Sequence, residues 1–102
     1  MFPVVAVEGL KALLFGPFDL SVSLGDEGVR TSRVEEMIRR SVDAALEAGV
    51  EPIVPVFGAS VEATAEAAEV WSERGVQCFT VGIDSAFLAQ RAGAFLGAVK
   101  GI

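Results

Sequence analysis

The chain has 102 residues, is 52% hydrophobic, carries a net charge of −6 and contains no histidine. That length holds one small domain, and that apolar content permits a packed core and excludes intrinsic disorder. An acidic balance with no basic cluster excludes a nucleic-acid binder. The missing histidine excludes a Ser-His-Asp or Cys-His site, a histidine general base and histidine zinc ligation.

From the N-terminus, MFPVVAVEG has no positive n-region and no long apolar core, so it does not read as a signal peptide. Glu8 falls in a connecting turn and is expected to be solvated. A short apolar run, Ala12 to Phe15, predicts the first buried strand, stopped by Gly16-Pro17. Asp19 follows in an apolar and hydroxyl neighbourhood. A helix is expected from about Arg33 to Ala48, with Val34, Met37, Ile38, Val42, Ala45 and Leu46 on one face. Ser32 with Glu35 reads as a capping box, and Gly49 and Pro52 as the stop. Glu35–Arg39 and Glu36–Arg40 lie at i,i+4 on the opposite, wet face.

The second strand is expected over Ile53 to Phe57, ended by Gly58. Ser60 then caps an alanine-rich helix that runs to about Arg74, with Gly75 as its stop. Trp71 on that helix reads as core or edge packing. Cys78 to Val81 predicts the third strand, and Gly82 ends it. Cys78 is the single cysteine, which excludes an internal disulfide and fits a buried small hydrophobe in a reducing compartment. Asp84 or Ser85 reads as the cap of a last helix with Phe87, Leu88, Ala94, Phe95, Ala98 and Val99 on its apolar side. Ala89, Gly93, Gly97 and Gly101 form a small-residue stripe beside them, consistent with close packing on another backbone. No window reaches the roughly 18 apolar residues of a membrane span. The expected protein is cytoplasmic, with no membrane and no nucleic-acid partner.

Alternating strands and helices with short connections mean an α/β fold of three consecutive βα units with parallel strands. Continuous apolar strands imply burial on both faces. Functional loops of such sheets lie at the strand C-terminal ends, where Gly16, Gly58 and Gly82 stand. Two roles are open to Asp19 from the residues alone. A poorly hydrated carboxylate beside a sharp Gly-Pro turn suits a hard divalent ion, which takes one or two carboxylates, waters and substrate oxygens. Equally, it could cap a short turn through the amides of Ser21 or Val22. Ser21 and Ser23 could line the site but have no base to activate them.

The run GPFDLSVSLG, Gly16 to Gly25, preceded by VEGLKALLF, resembles the signature of the HpcH/HpaI aldolase family. FTVGIDSAFLAQRAGAF, Phe79 to Phe95, resembles that family's last strand and helix. The resemblance covers almost the whole chain, but only the C-terminal three βα units of a TIM barrel, strands 6 to 8. It implies a metal-dependent class II pyruvate aldolase, which reversibly cleaves 4-hydroxy-2-oxo acids to pyruvate and an aldehyde. Asp19 matches the metal-binding aspartate at the end of the sixth strand, for Mg²⁺ or Mn²⁺. The amides of Phe18 and Asp19, in the turn begun by Gly16 and Pro17, match the positions that hold the pyruvate carboxylate. The metal would act as a Lewis acid that stabilises an enolate.

The departures are large. The family's second metal carboxylate, its substrate-binding arginine and its histidine acid/base pair have no counterpart here, so no catalytic residue is expected in this chain. A full barrel takes about 250 residues. Residues 1–102 are therefore expected to be a single partial-barrel domain, the C-terminal part of such an enzyme made by truncation, frameshift or gene splitting. Its partners would be a pyruvate-like 2-oxo acid and either a second subunit, through the exchanged last helix, or the N-terminal barrel part. The alternative function is an inactive fragment or a non-enzymatic oligomerisation module. A doubly wound small-ligand domain is disfavoured by the lack of a glycine-rich phosphate fingerprint.

Overall fold

The computed structural model describes residues 4, 6–25 and 31–101. Strands β1 (Ala12–Leu14), β2 (Glu51–Val56) and β3 (Cys78–Val81) form one parallel sheet in sequential order. Helices α1 (Pro17–Ser23), α2 (Ser32–Glu47), α3 (Val61–Glu73) and α4 (Asp84–Lys100) complete the three βα units that the sequence predicts. Leu13 stands beside Pro52 and Val54 beside Phe79. None of the described helices is long and apolar enough to cross a membrane.

The central strand holds two prolines, which ordinarily belong at sheet edges because they donate no ladder bond. Their placement resolves the conflict. Glu51 N–H donates to the Lys11 carbonyl at 2.9 Å, and Phe15 N–H donates to the Ile53 carbonyl at 3.2 Å. Backbone groups point alternately to the two neighbours, so the Pro52 nitrogen faces β3 just before it begins, and the Pro55 nitrogen faces β1 just past its end. Each proline stands at a ladder end: the β1–β2 pattern would next run from the residue 55 N–H to the Phe15 carbonyl, and Pro55 stops it there.

One face of the sheet carries the core. Phe15, Val54, Val56 and Val76 pack with Trp71 of α3 and with Val34, Ile38 and Val42 of α2. Trp71 is 9% exposed, which settles it as a core residue. The expected apolar face of α2 is the buried one, with Met37 and Leu46 half-buried at its margins. Burial of Val34, Ile38 and Val42 together contributes several kcal/mol, at about 1.5–3 kcal/mol per large aliphatic side chain. On the wet side Arg39 reaches Glu36 at 3.2 Å, three residues back. Arg74 joins α3 to α2 by two contacts to Asp43, at 3.1 and 3.0 Å.

Several local expectations shift. Thr31, not Ser32, is the N-cap of α2, and its hydroxyl accepts from Val34 N–H at 3.3 Å. Ser32 already has its place in the first turn, and Thr31 holds the extended backbone a cap requires. Ser60 caps α3 as expected, accepting from Ala63 N–H at 3.1 Å. Asp84 and Ser85 do not cap α4. Its N-cap is Ile83, in extended geometry, and Asp84 is the first helical residue, its carboxylate accepting from Ser85 N–H at 2.7 Å. Cys78 is half-buried, not buried. β1 and β2 end one residue earlier than predicted, and β2 begins two residues sooner.

The opposite face of the sheet, with Ala12, Leu14, Ile53, Pro55 and Thr80, has no helix on it. Strand burial on both faces is therefore not met within the described residues. Nor is the expected burial of the last helix, since α4 has no buried residue. Only its first turn is anchored. Phe87 packs edge-on against Phe57 with ring centroids 5.2 Å apart. Gly82 makes room for that ring: a side chain there would stand 2.3 Å from it, and the backbone φ is +79°. The rest of α4 projects, which stretches the molecule to 58 × 29 × 22 Å with a radius of gyration of 16.4 Å. A compact chain of this length would have about 13 Å.

Candidate functional site

The candidate site is the turn from β1 into α1, at the C-terminal edge of the sheet. Sequence reading expected a Gly-Pro turn there; the structure has a seven-residue helix. Proline at the first helical position was the available signal, because its fixed φ suits a helix start and its missing N–H costs nothing there. Gly16 is the N-cap and has no side chain to bond the first amides. The first helical bond runs from Leu20 N–H to the Gly16 carbonyl at 2.9 Å. The N–H groups of Phe18 and Asp19 therefore lie ahead of the helical ladder, as two donors at the strand end.

Asp19 is the third residue of α1, and its carboxylate turns back over Gly16. A Cβ on Gly16 would lie 3.1 Å from the nearer carboxylate oxygen, Oδ2. The side chain is exposed, and no hydrogen bond ties it to Ser21 or Val22, whose amides belong to the helix. The turn-capping role is thus not the one adopted. The Phe18 ring points to solvent at 66% exposure, so only its backbone faces the strand end. Gly16, Pro17, Phe18 and Asp19 come together as one turn.

Two residues that hold this turn were not read as such in the sequence. Ser21 is fully buried and its hydroxyl donates to the Phe18 carbonyl at 2.6 Å, so it braces the helix and does not line the site. The Arg33 guanidinium of α2 donates to the Leu24 carbonyl at the far end of α1. Leu20 and Leu24 pack against the core beneath. A short helix held this way keeps its two free amides in fixed directions.

Could these residues hold a divalent ion? Asp19 supplies one exposed, hard oxygen donor at a strand end, which fits a single coordination position. Glu62 and Asp84 also stand in the first turns of their helices. Yet among the described residues no three His, Cys, Asp or Glu side chains group to bind a metal. The fit is that of one ligand in a set. A groove of about 340 Å³ between α3, the sheet and α4, lined by Val56, Phe57, Val61, Phe79 and Gln90, is apolar and on the helix side, away from this turn.

No family model matches the chain. Among curated proteins, the hydroxypyruvate/pyruvate aldolase of Delftia acidovorans is 37% identical over 95 residues, which is 92% of this chain and 33% of that protein. The enzyme of the same name from Chromohalobacter salexigens is 36% identical over 100 residues, 96% of this chain and 37% of its own length. The chain is a relative of the pyruvate aldolases. The resemblance to the HpcH/HpaI aldolase family therefore holds, and the chain spans about a third of the length of the curated relatives it matches. A crystal structure of a citrate synthase variant, SbnG, superposes on 98% of this aldolase relative and 42% of its own chain, with a TM-score of 0.80 and 25% identity. That enzyme is of the TIM-barrel type, so the three βα units fit a run of consecutive units of such a barrel.

Proposed function

We propose that this chain forms strands 6 to 8 of a pyruvate-aldolase barrel and supplies part of a metal-dependent aldolase site. The observation that carries the reading is the β1–α1 turn, where a lone carboxylate and two free amides stand at a strand end of an aldolase relative. Asp19 would take one position on Mg²⁺ or Mn²⁺, and other barrel segments would supply the remaining ligands. When bound, the ion provides Lewis-acid polarisation of a 2-oxo acid. The chain's own residues would bind and orient. The N–H groups of Phe18 and Asp19 receive the substrate carboxylate, Gly16 leaves space for the Asp19 side chain, and Pro17 fixes the helix start. Proton transfer in the cleavage of a 4-hydroxy-2-oxo acid to pyruvate and an aldehyde falls to groups outside this chain.

A chimera tests this, with the chain replacing the matching third of the Delftia acidovorans aldolase. The expected result is aldol cleavage that needs Mg²⁺ or Mn²⁺ and is lost in Asp19→Ala. Cleavage retained in a folded Asp19→Ala chimera would overturn the assignment. The chain by itself should bind Mn²⁺ weakly and cleave nothing.

A second reading is favoured by one observation, the exposure of Phe87, Leu88, Phe95, Leu96 and Val99 along a helix with no buried residue. In it the chain is an assembly module that self-associates through α4. Divalent metal would then leave its melting temperature unchanged, and Asp19→Ala would leave association intact. A metal-dependent rise in melting temperature that disappears in Asp19→Ala counts against this reading.

A further inference from the structure

The helix-free face of the sheet carries one group that the chain leaves unsatisfied. Along β2, Pro52, Val54 and Val56 are buried on the helix side, while Glu51, Ile53 and Pro55 alternate with them and are half-buried. Glu51 therefore belongs to the open face, level with Ala12 of β1. Its Oε1 is shut off from solvent and has no hydrogen-bond partner among the described residues. Taking a carboxylate oxygen out of water without a donor is costly, and such groups in folded proteins are paired. Nothing in the aldolase site asks for this acid, which stands at the opposite, N-terminal end of the strand from Asp19.

We propose that the open face is a docking surface for a further strand-bearing segment of the barrel, and that Glu51 receives a lysine or arginine side chain from it. This rests on the barrel part of the reading above and not on the metal or the reaction. Three observations select that occupant. The outer edges of β1 and β3 are unpaired within the three-stranded sheet, so parallel strands can be added at either side. The barrel-type enzyme that superposes on this chain extends well beyond the matched 42% of its length. The charge then chooses the chemistry. A second copy of this chain would bring another −6 towards the same surface and another Glu51, whereas a basic side chain completes the buried oxygen.

The probe is the remaining two-thirds or so of the Delftia acidovorans aldolase, produced as a separate chain and mixed with this one. Sedimentation velocity measures their association for the wild type, Glu51→Gln and Glu51→Lys, with circular dichroism as the check on folding. A wild-type complex is expected, with Kd raised about tenfold or more in Glu51→Gln and binding abolished in Glu51→Lys. Absence of any complex overturns the docking surface. A complex equally tight in Glu51→Gln and in folded Glu51→Lys overturns the role of Glu51. Association alone is read, so the outcome stands whether or not the proposed aldol reaction does.

Discussion

Helices α2 and α4 have nearly the same length, 16 and 17 residues, and opposite fates. α2 buries Val34, Ile38, Ser41, Val42 and Ala45 against the sheet, while α4 buries nothing. Both carry large apolar residues, so composition does not separate them. In α2 those residues fall on one stripe opposite a charged face, and a sheet of the same chain lies under that stripe. In α4 they fall on one half of the helix with no sheet beneath them, and only Phe87 meets a residue of another element, while Phe95 has just Arg91 of its own helix over its ring. A helix with a broad apolar side needs a surface to cover that side, and these three strands do not reach it.

Substitutions can break or sharpen that contrast. Ile38→Ala on α2 should cost about 2–5 kcal/mol, through lost burial and the cavity left behind, as measured by urea unfolding. A loss well below that would mean the core is loosely packed. Gly82→Ala, at the root of α4, should cost about 1–3 kcal/mol, because it combines a positive φ with displacement of the Phe87 ring. Next come the caps. Thr31→Ala should cost about 1 kcal/mol, whereas Ser32→Ala should stay within about 0.5 kcal/mol. Reversal of that order would restore the capping box read from the sequence. Smallest of all, Phe95→Ala on α4 should move stability by no more than about 0.5 kcal/mol. A larger drop in the isolated chain would show that α4 is covered in solution.

What could be read from the sequence follows from how local the cause was. α2 was legible to within a residue at each end because its periodicity, its stop at Gly49 and its buried stripe all lie in one segment. The three parallel strands were legible for the same reason, though β2 starts at Glu51, two residues before the apolar run that marked it. α1 was not, since seven residues are too few to show a helical period and Gly16-Pro17 reads equally as a turn. The fate of α4 was illegible for a different reason. Periodicity tells which residues want burial, never what is there to bury them. At the candidate site, Gly16 to Asp19 are contiguous, so their meeting needed no tertiary knowledge. The Ser21 bond to Phe18 is local to α1 and only its burial needed the fold, whereas the Arg33 contact depends on how α1 lies on α2.

The prolines of β2 have a further consequence for the chain before it is folded. EPIVPVF is a strand-prone apolar stretch, and the sheet it joins has two open edges. Such a segment is an aggregation hazard when many copies stack in register, because each residue must bond the copy above and below. Pro52 and Pro55 withhold a donor towards opposite sides of the strand, so every stacked copy would lack bonds on both. The same two residues that the native sheet tolerates at its ladder ends thus act as gatekeepers against fibrils. They let a strongly apolar strand persist in a chain that leaves much of its surface uncovered.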